Sequence, residues 1–395
     1  MKKIKYWLPL VLVLAMLLAG CGQQSAPAEA VEETLAAEPM SINVRSALLS
    51  TGDTLKLGVT GGNGTVNYAS SDANVASVDE NGNVKALKKG NALITATSGD
   101  QQVCCGILVD AIGETVDLAN TQAVEIFSDV QLYHEKEILG LGVDVENGAY
   151  YIAQKYAGDN LNSDSLINKV EQVDGVWKRT GYIHLYNNGR GYFSMEKEDD
   201  RIMLVTESNG VNSNMGTTIS RVEWEEGKLY DEEFGDTYVL PEMEGGLRPY
   251  SDPDSDLVVV YEYMGRESYY AVYDRSDLFS GAENRYLHRF ACVSRQTPVA
   301  GEDASGGNYN ASIKGFAYRD GYLYQISGKS EVYISVFDLN GVLQFVHKVD
   351  GLEGLQNMTP GSIAFAGDEL YIAMNTFEDS KLLLANVWKI EEVAE

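Results

Sequence analysis

The stretch GFAYRDGYLYQISG, residues 315–328, places aromatic and branched apolar residues on both sides of a central Asp-Gly pair. Asp320-Gly321 suits a two-residue hairpin turn, because the central positions of such a turn take a positive φ. Tyr, Phe and Ile are residue types enriched in strands. The stretch therefore predicts two antiparallel strands joined by a tight turn.

Weaker copies of this pattern recur along the chain, and each places an acidic or glycine-containing turn before a short apolar strand. They are ENGAYYIAQ at 146–154, EDDRIMLVTE at 198–207, DPDSDLVVVY at 252–261 and AGDELYIAMN at 366–375. Their intervals are 53, 56, 64 and 47 residues, measured at Tyr150, Met203, Val259, Leu323 and Leu370. A loose period of this size in an all-β chain predicts the blades of a β-propeller. Five blades fit these positions, and the longest interval leaves room for a sixth.

Composition and charge restrict the class of partner. The 395 residues include 24 Tyr and 39 Gly, most of them in alternating segments, so β structure is expected to dominate. The net charge is −28, and residues 115–395 alone carry 47 acidic against 22 basic residues. This balance argues against a nucleic-acid partner, which requires a basic surface. It also argues against direct docking to polyanions unless bound cations form a bridge.

The N-terminus has the pattern of a targeting segment. Three lysines precede an apolar run at 7–18, which is too short to span a bilayer comfortably. The run ends in LLAGC at 17–21, which resembles the bacterial lipobox. The resemblance implies that 1–20 is a lipoprotein signal peptide and that Cys21 carries the lipid. The alternatives are a plain N-terminal anchor helix and a signal cut at another position.

A lipidated Cys21 would place the protein outside the cytoplasm, with the membrane as its first partner. The segment at 21–40 that follows is rich in Ala, Glu and Gln and lacks aromatic residues. Such a composition cannot build a core, so we predict a flexible tether.

Residues 41–111 show short strands separated by turn signals, which is the pattern of a β-sandwich. The stretch SSDANVASVDENGNVKALKKGNALITA at 70–96 resembles the group 2 bacterial immunoglobulin-like (Ig-like) domain. Asn81-Gly82 is the expected turn between two strands, and Val75, Val78, Val84 and Ile94 are expected to face inward. The resemblance implies a surface module used as a spacer or for adhesion, with no catalytic residues.

The cysteines indicate neither a disulfide scaffold nor a zinc site. If Cys21 is lipidated, three thiols remain, which is an odd number, and no C-x-x-C spacing occurs. Cys104 and Cys105 are adjacent in an expected strand and should therefore point to opposite faces. We predict that these two and Cys292 are buried or free cysteines without a special role.

A second resemblance covers most of 130–390. It is carried by the segments WKRTGYIHLYNNGRGYFSMEKEDDRIMLVTES at 177–208, GTTISRVEWEEG at 216–227, GFAY with GYLYQISG at 315–328, and PGSIAF with LY at 360–371. These resemble the β-propeller family that contains helveticin J-like bacteriocins, teichoic acid biosynthesis C-like proteins and a phage tail receptor-binding propeller. The resemblance implies a propeller over residues 115–395. We expect ring closure through pairing of a strand near 123–133 with the C-terminal strand at 381–393.

One departure from this family bears on the site. The family has Gly-His-Gly followed by a Glu, whereas this chain keeps Gly189, Gly191 and Glu196 but has Arg190 in place of the histidine. Arg190 is expected either to pair with Glu196 or to face the central channel and bind an anionic group. His184 is the candidate substitute for the missing histidine, and the alternative is a strand histidine satisfied by a backbone carbonyl.

Other candidate ligands are few. Asp252, Asp254 and Asp256 alternate in a spacing that can present carboxylates to Ca²⁺, the one candidate cofactor. The calcium-loop signature is incomplete, and the alternative is an acidic solvated turn. Asn308 and Tyr309 lie in a Gly-rich stretch where they could contact sugars, or they could belong to a plain loop. No common catalytic motif occurs.

The sequence thus predicts an all-β chain, an Ig-like β-sandwich followed by a β-propeller. The favoured function is a cell-surface lipoprotein that binds an envelope glycan or a surface protein without catalysis. The alternative is an enzyme that acts on envelope polysaccharide or teichoic acid at the propeller channel. Two or more carboxylates, or a histidine, converging at the channel mouth would favour the enzyme.

Overall fold

The computed structural model describes the chain from residue 38 to residue 393 with eleven gaps. The described ranges are 38–156, 164–210, 215–230, 236–252, 254–264, 267–281, 285–292, 313–328, 331–353, 355, 357–378 and 381–393. Within them every element except one short helix is a β-strand. None of the described helices is long and apolar enough to cross a membrane.

The first unit is a sandwich of short strands. One sheet has the order β2 (Ser46–Leu49), β9 (Gln101–Val109), β8 (Gly90–Ser98) and β5 (Asn67–Ser70). The facing strands are β3 (Thr54–Lys56), β7 (Asn83–Ala86) and β6 (Ala76–Val78), and β1 (Glu38–Ile42) pairs with β4 (Val59–Gly62). The residues expected to face inward lie in one core cluster, where Val75, Val84 and Ile94 are buried and Val78 is partly buried.

The described strands beyond the sandwich form five sheets, named A to E. Sheet A contains β11 (Ile138–Asp144), β12 (Ala149–Lys155), β13 (Ser165–Val173), β14 (Val176–Leu185) and β18 (Leu229–Tyr230). Sheet B contains β15 (Phe193–Glu198), β16 (Arg201–Gly210), β17 (Gly216–Glu223) and β19 (Asp236–Tyr238). Sheet C contains β20 (Gly246–Ser251), β21 (Leu257–Met264), β22 (Glu267–Asp274) and β23 (His288–Phe290), with helix α1 (Arg275–Ser280) between the last two.

Sheets D and E complete the set. Sheet D contains β24 (Gly315–Arg319), β25 (Tyr322–Gly328), β26 (Val332–Asp338) and β27 (Leu343–Lys348). Sheet E has the order β10 (Thr121–Val130), β30 (Lys381–Glu392), β29 (Glu369–Glu378) and β28 (Met358–Ala366). The five residues that set the sequence period lie one in each sheet, on β12, β16, β21, β25 and β29, which are the second strands counted from the inside.

The five sheets form a propeller-like ring. Their innermost strands contact one another in the order β11, β15, β20, β24, β28 and back to β11. The N-terminal strand β10 pairs antiparallel with the C-terminal β30, from Thr121 opposite Glu392 to Val130 opposite Ala385. The predicted closure is therefore confirmed, and so is the all-β class with a sandwich followed by a propeller-like domain. Asp320 and Gly321, with φ of 47° and 84°, form the predicted hairpin turn.

The sandwich packs directly on the propeller-like domain. Ser46 Oγ lies 2.8 Å from Nδ1 of His288, whose Nε2 lies 2.8 Å from the carbonyl oxygen of Leu339. Farther along, the backbone N–H of Val116 donates to the hydroxyl of Tyr324. Leu108 of the sandwich belongs to the largest core cluster of the ring. These contacts hold the sandwich in a defined orientation on sheets C and D.

Gly106 allows this close approach, and its replacement by alanine is expected to undock the sandwich. A Cβ at this position would lie 1.8 Å from the carbonyl oxygen of Leu287, which is backbone and cannot rotate away. Differential scanning calorimetry should show one transition for the wild type and two for Gly106→Ala. Gly58→Ala is the matched control, because its Cβ would meet only Asn43 at an ordinary 3.6 Å. A single unshifted transition in Gly106→Ala would contradict the docked arrangement.

The three cysteines among the described residues are free, as predicted. Cys105 is buried in the sandwich core, whereas Cys104 is half-buried on the opposite side of the strand. Burial raises the pKa of the Cys105 thiol to about 12. Because the thiolate is the reactive form, Cys105 is inert at neutral pH.

Candidate functional site

One end of the ring carries the candidate site, and we call it the entry face. It is the end at which the innermost strand of each sheet begins and the second strand ends, since these strands are antiparallel. Each second strand carries a buried polar side chain near this end: Gln154, Glu207, Glu262, Gln325 and Asn375, all at most 3% exposed. Buried polar groups must be paired, so these side chains fix the backbone around them.

Glu207 shows this effect most clearly. Its Oε1 accepts the backbone N–H groups of Arg190 (2.8 Å), Gly191 (2.9 Å) and Tyr192 (3.1 Å), and its Oε2 accepts that of Gly216. Burial raises the pKa of the Glu207 carboxyl to about 7, and the N–H donors of Gly216, Tyr192 and Arg190 oppose the rise. The carboxyl therefore serves as the scaffold of the loop that carries the Gly-Arg-Gly sequence.

The loop before β11 is held in a similar way. Gln154 Nε2 donates to the carbonyl oxygens of His134 (2.6 Å) and Lys136 (2.9 Å). Asn168 Oδ1 accepts the N–H of Tyr133 at 3.0 Å, and Asn168 Nδ2 lies 3.1 Å from Gln154 Oε1. These amides give a surface loop a fixed backbone, so the side chains of Tyr133 and His134 are presented in a defined position.

An aromatic patch covers this part of the entry face. We define it as Tyr133, His134, Tyr156, Tyr182 and His184. The rings of Tyr133 and Tyr182 lie 4.6 Å apart, and the Tyr156 ring stacks on His184 at 4.6 Å and meets the edge of His134 at 5.0 Å. The Arg179 guanidinium lies 4.9 Å from the Tyr133 ring centroid. Tyr133 is 44% exposed, so the patch offers an aromatic surface to solvent.

His184, a candidate from the sequence, belongs to this patch. Its Nε2 lies 3.1 Å from Oδ2 of Asp164, whose other oxygen accepts the N–H of Asn187 at 2.8 Å. The expected alternative, a histidine satisfied by a backbone carbonyl, is wrong, because the partner is a carboxylate. In the same patch, burial lowers the pKa of His134, and the His184 charge lowers it further. His134 is therefore neutral at pH 7.

Arg190 lies in the loop before β15 of sheet B, and Arg248 lies on β20, the innermost strand of sheet C. The Arg190 side chain is exposed. The Arg248 guanidinium lies 3.7 Å from the centroid of the buried Tyr192 ring, and its Nη1 donates to the carbonyl oxygen of Ile313 at 3.1 Å. The Arg248 side chain is therefore held on an innermost strand, whereas the channel position expected for Arg190 stays a prediction.

Glu196 does not pair with Arg190, so that expected alternative is wrong. Its carboxylate is completely buried, and Oε2 lies 2.8 Å from Arg221 and 2.9 Å from Arg275. Ser251 Oγ donates to Oε1. Burial raises the pKa of Glu196, but the bonds from Arg275 and Ser251 outweigh burial and leave the pKa below its ordinary value. Glu196 is thus an ionised structural group that joins sheets B and C.

The three aspartates proposed for Ca²⁺ do not converge. Arg319 Nε lies 3.4 Å from Asp252 and its Nη1 lies 3.1 Å from Asp254, while Asp256 is exposed. Burial raises the pKa of Asp252 to about 6, and Arg319 opposes this. In the described part of the chain, no group of three His, Cys, Asp or Glu side chains is arranged to hold a metal ion. Arginine therefore occupies the position that a cation would take.

Cys21, Asn308 and Tyr309 lie outside the described residues. The lipidation of Cys21 and the sugar contacts of Asn308 and Tyr309 stay predictions. The sequence indicated His184 and Arg190 as candidates. It did not indicate Tyr133, His134, or the buried residues Gln154 and Glu207, which hold the neighbouring loops by hydrogen bonds. The sequence did contain a signal for such buried polar residues. Three of the recurring copies end, after an apolar strand, in a polar residue: Gln154, Glu207 and Asn375.

Comparison with known proteins supports the two-part architecture. Residues 36–105 match the bacterial Ig-like domain (group 2) family. Intimin of Escherichia coli O111:H- is 53% identical over 47 residues, which cover 12% of this chain and 5% of intimin. The chain therefore matches only a small part of that relative. Residues 36–105 thus form a bacterial Ig-like domain of group 2.

Solved structures extend the comparison to the ring. The tail fibre of Staphylococcus aureus phage P68 has a TM-score of 0.55 at 16% identity, covering 71% of this chain and 55% of the fibre. At this identity the likeness shows the fold alone. An exo-beta-1,3-galactanase from Phanerochaete chrysosporium has a TM-score of 0.39 at 7% identity, covering 65% of this chain and 59% of the enzyme. A likeness that distant supports no conclusion about activity.

Proposed function

We propose that this protein is a non-catalytic binding protein of the bacterial cell surface, and that its aromatic patch binds an envelope glycan. The observation that carries the proposal is the exposed side chain of Tyr133, whose backbone N–H bonds to Asn168 and whose ring packs on the half-buried Tyr182 ring. Tyrosine combines an apolar ring with a polar hydroxyl, which matches the mixed apolar and hydroxylated faces of a sugar. His184 and Arg179 add hydrogen-bond donors at the edge of the rings.

The rest of the chain supports a display role. The Ig-like sandwich resembles part of intimin, and it is docked on sheets C and D rather than on the patch. A lipid on Cys21 would hold the protein at the membrane, and the segment at 21–40 would give the folded part reach. In this arrangement the entry face stays open to solvent.

A second candidate function rests on the pair formed by His184 and Asp164. A histidine oriented by a carboxylate is a common general base, and the pair lies at the entry face. The buried carboxylates Glu196, Glu207 and Glu262 cannot supply a glycosidase pair, because arginines or backbone N–H groups occupy each of them. The geometry of the site therefore supports glycan binding better than glycan hydrolysis.

The test is a glycan array probed with residues 38–395, with and without Ca²⁺. We expect an envelope glycan to bind, and Tyr133→Ala to weaken binding about tenfold, which corresponds to about 1.4 kcal/mol. Tyr133→Phe should retain binding because the ring remains. Val176→Ala is the matched control, because Val176 is 62% exposed on the same sheet but at its opposite end.

Three results would decide against the proposal. Binding of no envelope glycan would refute the glycan ligand. Equal binding by the wild type and Tyr133→Ala would remove the patch from the site. Release of soluble sugar by the wild type that His184→Gln abolishes would establish the enzyme instead.

A further inference from the structure

A second exposed surface lies on the entry face, at the end of β21. Tyr263 is 46% exposed and Met264 is 41% exposed, and we call these two residues the Tyr263 surface. Glu262 beside them is buried, and its Oε1 accepts the N–H groups of Glu244 (2.8 Å) and Gly245 (3.1 Å). Glu262 Oε2 lies 2.7 Å from Arg289. Glu262 therefore fixes the loop before β20, which lies beside the Tyr263 surface.

The two surfaces lie at distant junctions of the ring. Tyr133 follows β10 of sheet E and contacts Tyr182 of sheet A, so the aromatic patch marks the E–A junction. Tyr261 packs toward Phe316 of sheet D, with ring centroids 6.4 Å apart. Tyr263 shares this side of its strand, because side chains alternate. The Tyr263 surface thus marks the C–D junction, and three sheets separate it from the aromatic patch on one side and two on the other.

The mouth of the ring lies between these surfaces. Arg248, on the innermost strand β20, stacks on Tyr192 there. A single sugar that rests on Tyr133 cannot also reach a surface on the far side of the mouth. A ligand that uses both surfaces must therefore be an extended chain.

We propose that the ligand is an uncharged polysaccharide chain that lies across the mouth and contacts both surfaces. The inference rests on the proposed glycan function. We expect a neutral chain, because the net charge of −28 disfavours a polyanion and the local cation Arg248 is already engaged by the Tyr192 ring and the Ile313 carbonyl oxygen. Two contact surfaces on one ligand make the second contact intramolecular, so affinity rises steeply once the chain spans both.

Chain length is the direct test. The probes are chitin, β-glucan, galactan, mannan and dextran, each as the polymer and as size-fractionated oligosaccharides, with polyglycerol phosphate and polygalacturonate as anionic comparisons. We expect at least one neutral polymer to bind at least about tenfold more tightly per chain than its disaccharide. Tyr263→Ala should remove this advantage and leave disaccharide binding unchanged, whereas Tyr133→Ala should weaken both.

The outcomes separate the two proposals. Length-independent binding that Tyr133→Ala weakens and Tyr263→Ala leaves unchanged would overturn the extended chain and keep the glycan function. If either anionic polymer bound more tightly than every neutral polymer, or if no neutral polymer bound, the proposal of an uncharged ligand would be overturned. Binding that neither substitution affects would overturn both proposals. Each variant is compared with Val176→Ala, and matching thermal unfolding excludes loss of fold as the cause.

Discussion

Deletion of residues 381–395 is expected to unfold the propeller-like domain. β30 pairs with both β10 and β29, so its loss leaves β10 without a partner strand in sheet E and leaves β29 paired with β28 alone. It also removes the buried Val387, Trp388 and Ile390 from two core clusters. Each such side chain contributes about 1.5–3 kcal/mol by burial alone, and a domain has only about 5–15 kcal/mol of net stability.

Circular dichroism and calorimetry would measure this effect. The truncated protein should lose the cooperative transition of the ring. The matched control is deletion of 393–395, which leaves β30 intact and removes the exposed Val393. A truncated protein that melts like the wild type would refute closure through β10 and β30.

At pH 8, where the Glu207 carboxyl with its pKa of about 7 is mostly ionised, Glu207→Gln is expected to lower the free energy of unfolding by about 3 kcal/mol. Glutamine has the same shape and can still accept the N–H groups of the loop at 190–192 with its carbonyl oxygen. Its NH₂ group then faces the N–H of Gly216, which now bonds to Glu207 Oε2. Two donors that face each other in a buried site leave both unsatisfied, at about 1–3 kcal/mol each.

Chemical denaturation of the two proteins gives this difference directly. Glu225→Gln is the control, because Glu225 is 54% exposed and its partner is the surface residue Lys228. An exposed pair of this kind contributes at most about 1 kcal/mol. A Glu207→Gln variant that stays within about 0.5 kcal/mol of the wild type would show that the carboxylate does not hold the loop.

The fold could largely be predicted from the sequence, because strands and turns leave local signals. The alternation around Asp320-Gly321 and its copies located the second strand of every sheet. The pairing of β10 with β30 followed from the physical need to seal the edges of a ring. The spacing alone did not decide between five and six blades, because an interval of 64 residues can hold either one blade with longer connections or an additional blade.

The site could be predicted only in part, because its residues converge from distant positions. The sequence distance between Tyr133 and Tyr182 gives no sign that their rings lie 4.6 Å apart. Arg221 and Arg275 reach Glu196 from two other elements, so the local candidate Arg190 was the wrong partner. Likewise Arg319, 65 residues beyond Asp254, fills the place assigned to Ca²⁺.

The docked sandwich could not be predicted either. Ser46 and His288 are 242 positions apart, and neither has a local pattern that indicates contact. The resemblance implied a module used as a spacer or for adhesion and gave no sign of a contact with the ring. Gly106 and Leu287 instead place the two backbones in direct contact.

Hydrogen–deuterium exchange in the presence of a bound neutral polysaccharide tests the central claim most directly. We predict protection at 131–137 and 182–192, which carry the aromatic patch and the loop held by Glu207, and weaker protection at the end of β21. Protection confined to the Ig-like sandwich, or to the opposite end of the ring, would contradict the account.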